Sequence, residues 1–261
     1  MSATEACLLV QRPAPHLALV LFNRPEARNA VNSAVAAALG AAAAGIDADD
    51  DIRVAILASS TPGMFCAGAD LREAQARGTT EMIHRQFGFA GFVKAPRTKP
   101  WIAAVTGAAV GGGFEIVLAC DLIVAGQSAR FGLPEVKRGL LAGGGGVMRL
   151  PRMLPQSVAN EMILTGAPIS AQRAHHFGMV NYLEEDAQVL DRALALAQAV
   201  AANAPLAVRG SLQLARVAQQ FPEEELRRRQ REIAPAVRAS ADAKEGRRAF
   251  LEKRLPRWQG R

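Results

Sequence analysis

Two glutamates stand where acid–base chemistry could be done. Glu115 follows three consecutive glycines, Gly111-Gly112-Gly113, and Phe114, and an apolar run behind it ends at Asp121. Glu135 closes the stretch Phe131-Gly132-Leu133-Pro134-Glu135, a loop at a strand end. Glycine costs a helix roughly 1 kcal/mol per residue against alanine, so three of them ahead of an apolar helix need a reason. Close approach of backbone to a ligand is one. A helix N-terminus offers unpaired N–H groups and the positive end of its dipole, and one such N–H is half of an oxyanion hole. Phe65-Cys66-Ala67-Gly68-Ala69-Asp70, another small-residue turn after another strand, is the candidate for the second half. Glu115 lies three residues after Gly112, on the same helical face. Beside Phe114 and Ile116 it is partly desolvated, which raises a carboxylate pKa toward the range a general acid or base needs. The competing reading of each glycine segment is close helix–sheet packing or a simple turn, and of Glu135 a solvated loop glutamate. Two such turns together, with a carboxylate one turn beyond the first, favour a site.

Other chemistries lack their motifs. Gly111–Gly113 has no third glycine at the offset of a dinucleotide fingerprint, and Gly143–Gly146 fails likewise. There is no P-loop and no G-x-S-x-G nucleophile elbow. Cys7, Cys66 and Cys120 form no C-x-x-C pair, and with four scattered histidines they suggest no zinc site. An odd cysteine count and the lack of a signal-peptide pattern are expected of a cytoplasmic protein.

The elements that must position these residues alternate between strand and helix. Leu17–Phe22, Arg53–Ala58 and Trp101–Thr106 are apolar throughout and predict strands buried on both faces. Asn32-Ser33 caps an alanine-rich helix to about Ile46. A helix is expected over 80–95 and a short one over 112–119, followed by strands at Asp121–Ala125 and Arg130–Phe131. Helices are expected at 145–153, 156–165 and 170–177, and a short strand at Met179–Leu183. From Asp186 the chain is helical almost throughout, with breaks expected at Pro205, Pro222 and Pro235. The alternation implies parallel β-α units, and the helical last third a separate layer.

The net charge of +7 permits a polyanionic ligand. The densest basic run, Leu226–Arg231, fits a solvated helix face. Aromatic residues make up 5% of the chain, too few for the stacking platform of a single-strand binder. No uncharged apolar run approaches the roughly 20 residues that span a bilayer.

The sequence resembles the enoyl-CoA hydratase/isomerase superfamily, the crotonases, over nearly its whole length. Phe65–Leu71 and Gly107–Glu115 match the two oxyanion segments, and Phe131–Glu135 the segment of the second catalytic glutamate. Leu164-Thr165-Gly166 with Ile169-Ser170-Ala171 and Gly178-Met179-Val180 match a later signature, and Ser240–Arg254 the C-terminal helix. The resemblance implies an α/β, crotonase-like (ClpP/crotonase) spiral of β-β-α units over residues 1–185. A C-terminal helical oligomerisation region would follow over 186–261. It implies that the N–H groups of Ala69 and Gly112 bind a thioester carbonyl, with Glu115 and Glu135 flanking the reacting carbons. Arg24 and Ala27, then Ala67, Gly68, Asp70, Leu71 and Arg72, with Gly111 and Pro134, would line the coenzyme A and substrate path. Phe250 and Lys253 match positions that reach a neighbouring subunit's coenzyme A. No cofactor is implied, since coenzyme A is part of the substrate, and no nucleic acid or membrane partner. Homotrimers or dimers of trimers are.

Both glutamates are kept, twenty positions apart as in the hydratases. Reversible syn addition of water to a trans-2-enoyl-CoA is therefore favoured. The alternatives are a carnitinyl-CoA-type dehydratase, an enoyl-CoA isomerase, a catalytically silent oligomer and an RNA-binding relative. Phe114 departs from the small residue or cysteine of many hydratases, and Gly139–Gly146 lacks a proline often seen there. The expected pocket lining is Glu81–Phe92, with Met82, His84, Phe87, Phe89 and Phe92; His84 is expected to be a packing or surface residue.

Overall fold

The computed structural model describes residues 6–261. β1 (Leu8–Gln11) and β2 (Leu17–Phe22) form an antiparallel pair. α1 (Ser33–Ala48) begins where the Asn32 side chain accepts the Val35 N–H at 2.9 Å. It buries Val35, Leu39, Ala43 and Ile46, a helical stripe. Three strand pairs follow. β3 (Val54–Ser59) and β4 (Met64–Cys66) lead to α2 (Leu71–Arg77). After a small hairpin, β5 (Ile83–His84) with β6 (Gly88–Phe89), come β7 (Trp101–Val105), β8 (Ala108–Val110) and α3 (Gly112–Val117). Then β9 (Leu122–Gly126) and β10 (Arg130–Gly132) run into a 3-10 turn, Pro134–Arg138, and α4 (Gly146–Met153). The rest is α5 (Gln156–Thr165), β11 (Ile169–Ser170), α6 (Ala171–His176), β12 (Tyr182–Glu184) and four helices: α7 (Val189–Ala201), α8 (Pro205–Ala215), α9 (Glu223–Ala239) and α10 (Ala241–Leu251).

Each pair sends its first strand to a large sheet, ordered β1-β2-β3-β7-β9-β12, and its second to a small one, ordered β11-β10-β8-β4. Repeating that step is the β-β-α spiral. The large sheet is parallel from β2 to β12 and covered on both faces, which is why its strands are continuously apolar. Leu17, Leu19, Val54, Ile56, Ile102 and Val124 face α7, while Ala18, Val20, Ala55, Leu57 and Ala103 join the main core with α1 and α3. α8 and α9 pack on each other beyond α7, and α10 packs on α9.

In the small sheet β4, β8 and β10 are adjacent and parallel. The segments that follow them, 67–70, 111–115 and 133–135, therefore leave side by side from one end of that sheet. Carboxyl ends of parallel strands are where α/β folds place ligands.

Two expectations fail and a third is displaced. Residues 80–95 are not a helix: a 3-10 turn at Thr80–Met82 gives way to the β5–β6 hairpin and further turns. Gly88, Ala90 and Gly91 take φ of +72°, +58° and +62°, which no α-helix accommodates. Gly91 does so because the loop lies against α1, where a Cβ would come 3.1 Å from Ala36 O and Gly40 Cα. Pro235 does not break α9, which continues through it on ion pairs such as Arg229–Glu225 and on its packing against Gly210 of α8. Pro205 and Pro222 do sit at helix starts, where a missing N–H costs nothing. The strand expected at Met179–Leu183 is displaced to Tyr182–Glu184.

Candidate functional site

The first donor comes from the turn after β4. The Val31 N–H donates to Gly68 O at 2.7 Å, and the Asp70 N–H donates to Val31 O at 2.8 Å. In that parallel bridge, centred on Val31 and Ala69, the residues flanking Ala69 make both bonds, so the N–H of Ala69 itself turns the other way. The second comes from α3. Gly112 is its first residue, so its N–H has no acceptor within the helix. The preceding Gly111 sits at φ +56°, ψ −132°, a conformation left to glycine. The two segments touch: a Cβ at Gly68 would lie 3.0 Å from the Gly112 nitrogen and 2.9 Å from Val110 O. The packing reading of the glycines also holds at one position, since a Cβ at Gly113 would lie 2.3 Å from Cys66 O. Phe89 closes the other side, where a Cβ at Gly112 would meet its ring at 2.4 Å.

One turn into α3, Glu115 is 3% exposed. Its Oε1 accepts the Gly146 N–H at 2.8 Å, and the Gly144 N–H lies near enough to the carboxylate to pull its pKa down. A Cβ at Gly144 would lie 2.4 Å from Glu115 Oε2, and one at Gly146 3.1 Å from Oε1. The four-glycine run thus wraps backbone around a carboxylate. Burial pushes the Glu115 pKa above its ordinary value; the two N–H groups and Arg149 pull it down, while Glu135 pushes it up. The upward causes prevail.

Glu135 rises from the 3-10 turn after β10 and lies over the N-terminus of α3, its Oε1 3.2 Å from where a Gly111 Cβ would be. Burial raises its pKa against the pull of its own backbone N–H and of Arg138. Its Oε2 is buried with no partner in the protein. An unpaired buried polar atom costs about 1–3 kcal/mol, and a protonated carboxyl tolerates that position better than an ionised one. The two acids thus sit in opposite settings: Glu115 receives donors, whereas an oxygen of Glu135 lacks one.

The loop Arg24–Asn29 is fastened to the first donor. Arg24 Nη1 donates to Asp70 Oδ2 at 2.7 Å and to Ala30 O at 3.0 Å. Asp70 also caps α2 by accepting the N–H groups of Arg72 and Glu73. Burial acts to raise the Asp70 pKa, but Arg24 and those N–H groups outweigh it and hold the carboxyl below its ordinary value. Asn29, wholly buried, donates to Ser59 Oγ at 2.8 Å and Phe65 O at 3.1 Å, and the Ala67 N–H donates to Arg28 O at 3.1 Å. Ala27 lies in the 3-10 turn Pro25–Ala27 of this loop. Leu71 and Arg72 are exposed at the start of α2, and Pro134 opens the turn that carries Glu135. Phe250 is 83% exposed at the end of α10, with Lys253 just beyond. α10 packs on α9, so within one chain these two stand apart from the segments gathered at β4, β8 and β10. His84 is exposed, stacked on Phe87 at 4.5 Å, and accepts the Gln86 and Phe87 N–H groups. Sequence reasoning missed Gly144, Gly146 and Arg149; the only signal was the tetraglycine itself, which marks backbone that must come close to something. Among the described residues no helix is long and apolar enough to cross a membrane.

Known proteins resemble this chain in sequence and fold. The family model for enoyl-CoA hydratase/isomerase matches residues 14–261. An enoyl-CoA hydratase from Mycobacterium tuberculosis H37Rv superposes with a TM-score of 0.94 at 45% identity, over 98% of this chain and 100% of that one. A carnitinyl-CoA hydratase from Mycobacterium avium does so with a TM-score of 0.77 at 44% identity, over 99% and 100%. A carnitinyl-CoA dehydratase from Salmonella enteritidis PT4 is 39% identical over 259 residues, 97% of this chain and 98% of that protein.

Proposed function

The chain belongs to the enoyl-CoA hydratase/isomerase family and acts on acyl-CoA thioesters, and from that premise we propose that it adds water reversibly to a trans-2-enoyl-CoA, giving a 3-hydroxyacyl-CoA. The contrast between the two acids supports this reading. Carboxylates in unlike environments separate into an acid and a base, although their titration belongs to the pair. Glu115, bonded by the Gly146 N–H with the Gly144 N–H beside it, would be the ionised partner. It would orient water, take its proton as oxygen attacks C3, and return that proton in the reverse direction. Glu135, with an unpartnered buried oxygen, would be protonated and deliver its proton to C2. Charge developing on the thioester oxygen would be met by the N–H groups of Ala69 and Gly112; losing one such donor costs roughly 10²–10³ in rate. The chemistry needs no cofactor beyond the coenzyme A of the substrate.

Dehydration of a carnitinyl-CoA is the same site run backward. The Salmonella and M. avium relatives favour keeping it as the second reading. One panel tests both. Loss of the conjugated thioester absorbance on crotonyl-CoA and on medium-chain and branched enoyl-CoAs is expected. No such loss on any of them refutes hydration, and a gain of that absorbance from carnitinyl-CoA alone selects the second reading.

We also place an oligomerisation role in residues 186–261. Phe250, Leu251 and Leu255 are each at least 80% exposed, and apolar surface of that kind needs cover. A trimer or dimer of trimers would supply it, with Phe250 and Lys253 directed to a neighbour's coenzyme A.

A further inference from the structure

Beside α3 and α4 lies a cavity of about 540 Å³ whose wall includes Arg97, Arg149, Arg152 and Arg216. It has the charge of an anion site, but three of these arginines are already bound to main-chain carbonyls. Arg97 donates to the carbonyls of Phe92 and Ala119. Arg216 donates to those of Arg97 and Lys99 and pairs with Asp121. Arg149 donates to Gly144 O at 2.9 Å and to Val93 O at 2.5 Å. These arginines fasten main chain to main chain.

Of the three, Arg149 reaches the proposed base. A run of four glycines has no side chains to fix its path, so its conformation is imposed from outside. Gly145 sits at φ +110°, and a Cβ there would lie 2.0 Å from Arg149 Nη1, so the guanidinium lies directly against the loop. One arm of the fork holds the Gly144 carbonyl, between the Gly146 N–H that bonds Glu115 and the Gly144 N–H that also favours its ionised form. The other holds Val93, in the same stretch as Phe89, whose ring abuts Gly112. Such a planar fork spans two acceptors, which an ammonium group does not reproduce. We propose that Arg149 is a positioning residue: it fixes the glycine loop so that Gly144 and Gly146 hold Glu115 in one orientation, and ties that loop to the wall of the oxyanion donor. The role rests on the reading of Glu115 as the base.

The charged groups that act on Glu115 are Arg149 and Glu135; Arg149 in turn faces Glu115 and Arg152. The test compares Arg149→Met, Arg149→Lys and the control Arg152→Met. Hydration kinetics are followed across pH, and the Glu115 carboxylate is titrated by difference infrared spectroscopy against Glu115→Gln. For Arg149→Met, kcat is expected to fall roughly 10- to 100-fold, as for displaced catalytic groups. KM should stay within about threefold, and the Glu115 midpoint should rise. Arg149→Lys should restore the midpoint but only part of kcat, and Arg152→Met should change neither. A kcat within threefold of wild type for Arg149→Met, or a fall that merely tracks loss of folded protein with the midpoint unmoved, overturns the proposal. If Arg149→Met does not fold, Arg149→Lys decides: reduced kcat at a wild-type midpoint supports positioning, and wild-type kcat refutes it. Should the wild type hydrate nothing, the base reading has failed, and the infrared midpoint of Arg149→Met still tests the positioning alone.

Discussion

Gly143 and Gly144 are neighbours whose replacement by alanine should have opposite results. Neither has a positive φ, so the backbone accepts alanine at both. At Gly143 a Cβ meets nothing nearer than Leu141 O at 3.8 Å, an ordinary contact. Gly143→Ala should be neutral or stabilising by about 0.4–1 kcal/mol, because it restricts the unfolded chain. At Gly144 the Cβ would lie 2.4 Å from Glu115 Oε2 and 2.9 Å from Cδ. Glu115 is 3% exposed, so the carboxylate cannot swing into solvent and must leave its N–H donors. A hydrogen bond to a charged group contributes about 1.5–3 kcal/mol. At 1.36 kcal/mol per pKa unit, losing one raises the Glu115 pKa by about one to two units. Both N–H groups favour the ionised form, so their loss moves the acidic limb of the kcat/KM profile upward. Below the wild-type midpoint the ionised base becomes about 10- to 100-fold scarcer. The assay is hydration of an enoyl-CoA from pH 5 to 9 for the two alanine variants side by side, with thermal melts to normalise for folding. A Gly144→Ala enzyme with the Gly143→Ala profile would refute the idea that this loop exists to grip Glu115.

Two carboxylate substitutions carry further expectations. Glu115→Gln should abolish hydration, and its stability relative to wild type should depend on pH. The folded pKa is raised above the ordinary 4.5, so the folded state of the wild type holds the proton to higher pH than the unfolded chain and loses stability as pH rises through that window. The variant carries no such cost. Its melting temperature should match wild type at pH 4 and exceed it at pH 7, by differential scanning calorimetry. Glu135→Gln keeps the shape of the side chain but delivers no carboxyl proton. Hydration should fall by at least about 10² while acyl-CoA affinity, by titration calorimetry, stays within a few-fold; equal loss of both would point to misfolding instead.

Part of the molecule was legible because its signals are local. Leu17–Phe22 and Trp101–Val105 are apolar at every position, and burial on both faces of a parallel sheet demands that. Asn32 caps α1 through a bond three residues long. The turns after β4 and β8 showed themselves as small-residue runs at strand ends, and their meeting across the small sheet followed once resemblance supplied the topology. The misread segments are those whose conformation is imposed at a distance. Nothing near Ala90 announces a φ of +58°. The neighbouring turn is set by the approach of Gly91 to Gly40, about fifty positions earlier. Met82, Phe89 and Phe92 are buried there, apolar enough to suggest a helix face, yet they are delivered by turns. The tetraglycine is the same lesson inside the site. Tested against nucleotide motifs it had no purpose, because its partner, Glu115, lies 31 positions upstream and the guanidinium that holds it points back from the next helix. Glycine marks where backbone must come close without saying to what. Here the contact partners differ from one glycine to the next: a strand carbonyl for Gly113, an aromatic ring for Gly112, a carboxylate for Gly144. A single alanine scan through Gly111–Gly113 and Gly143–Gly146 would therefore separate losses of packing from losses of chemistry, since only positions facing Glu115 or Glu135 should shift the pH profile.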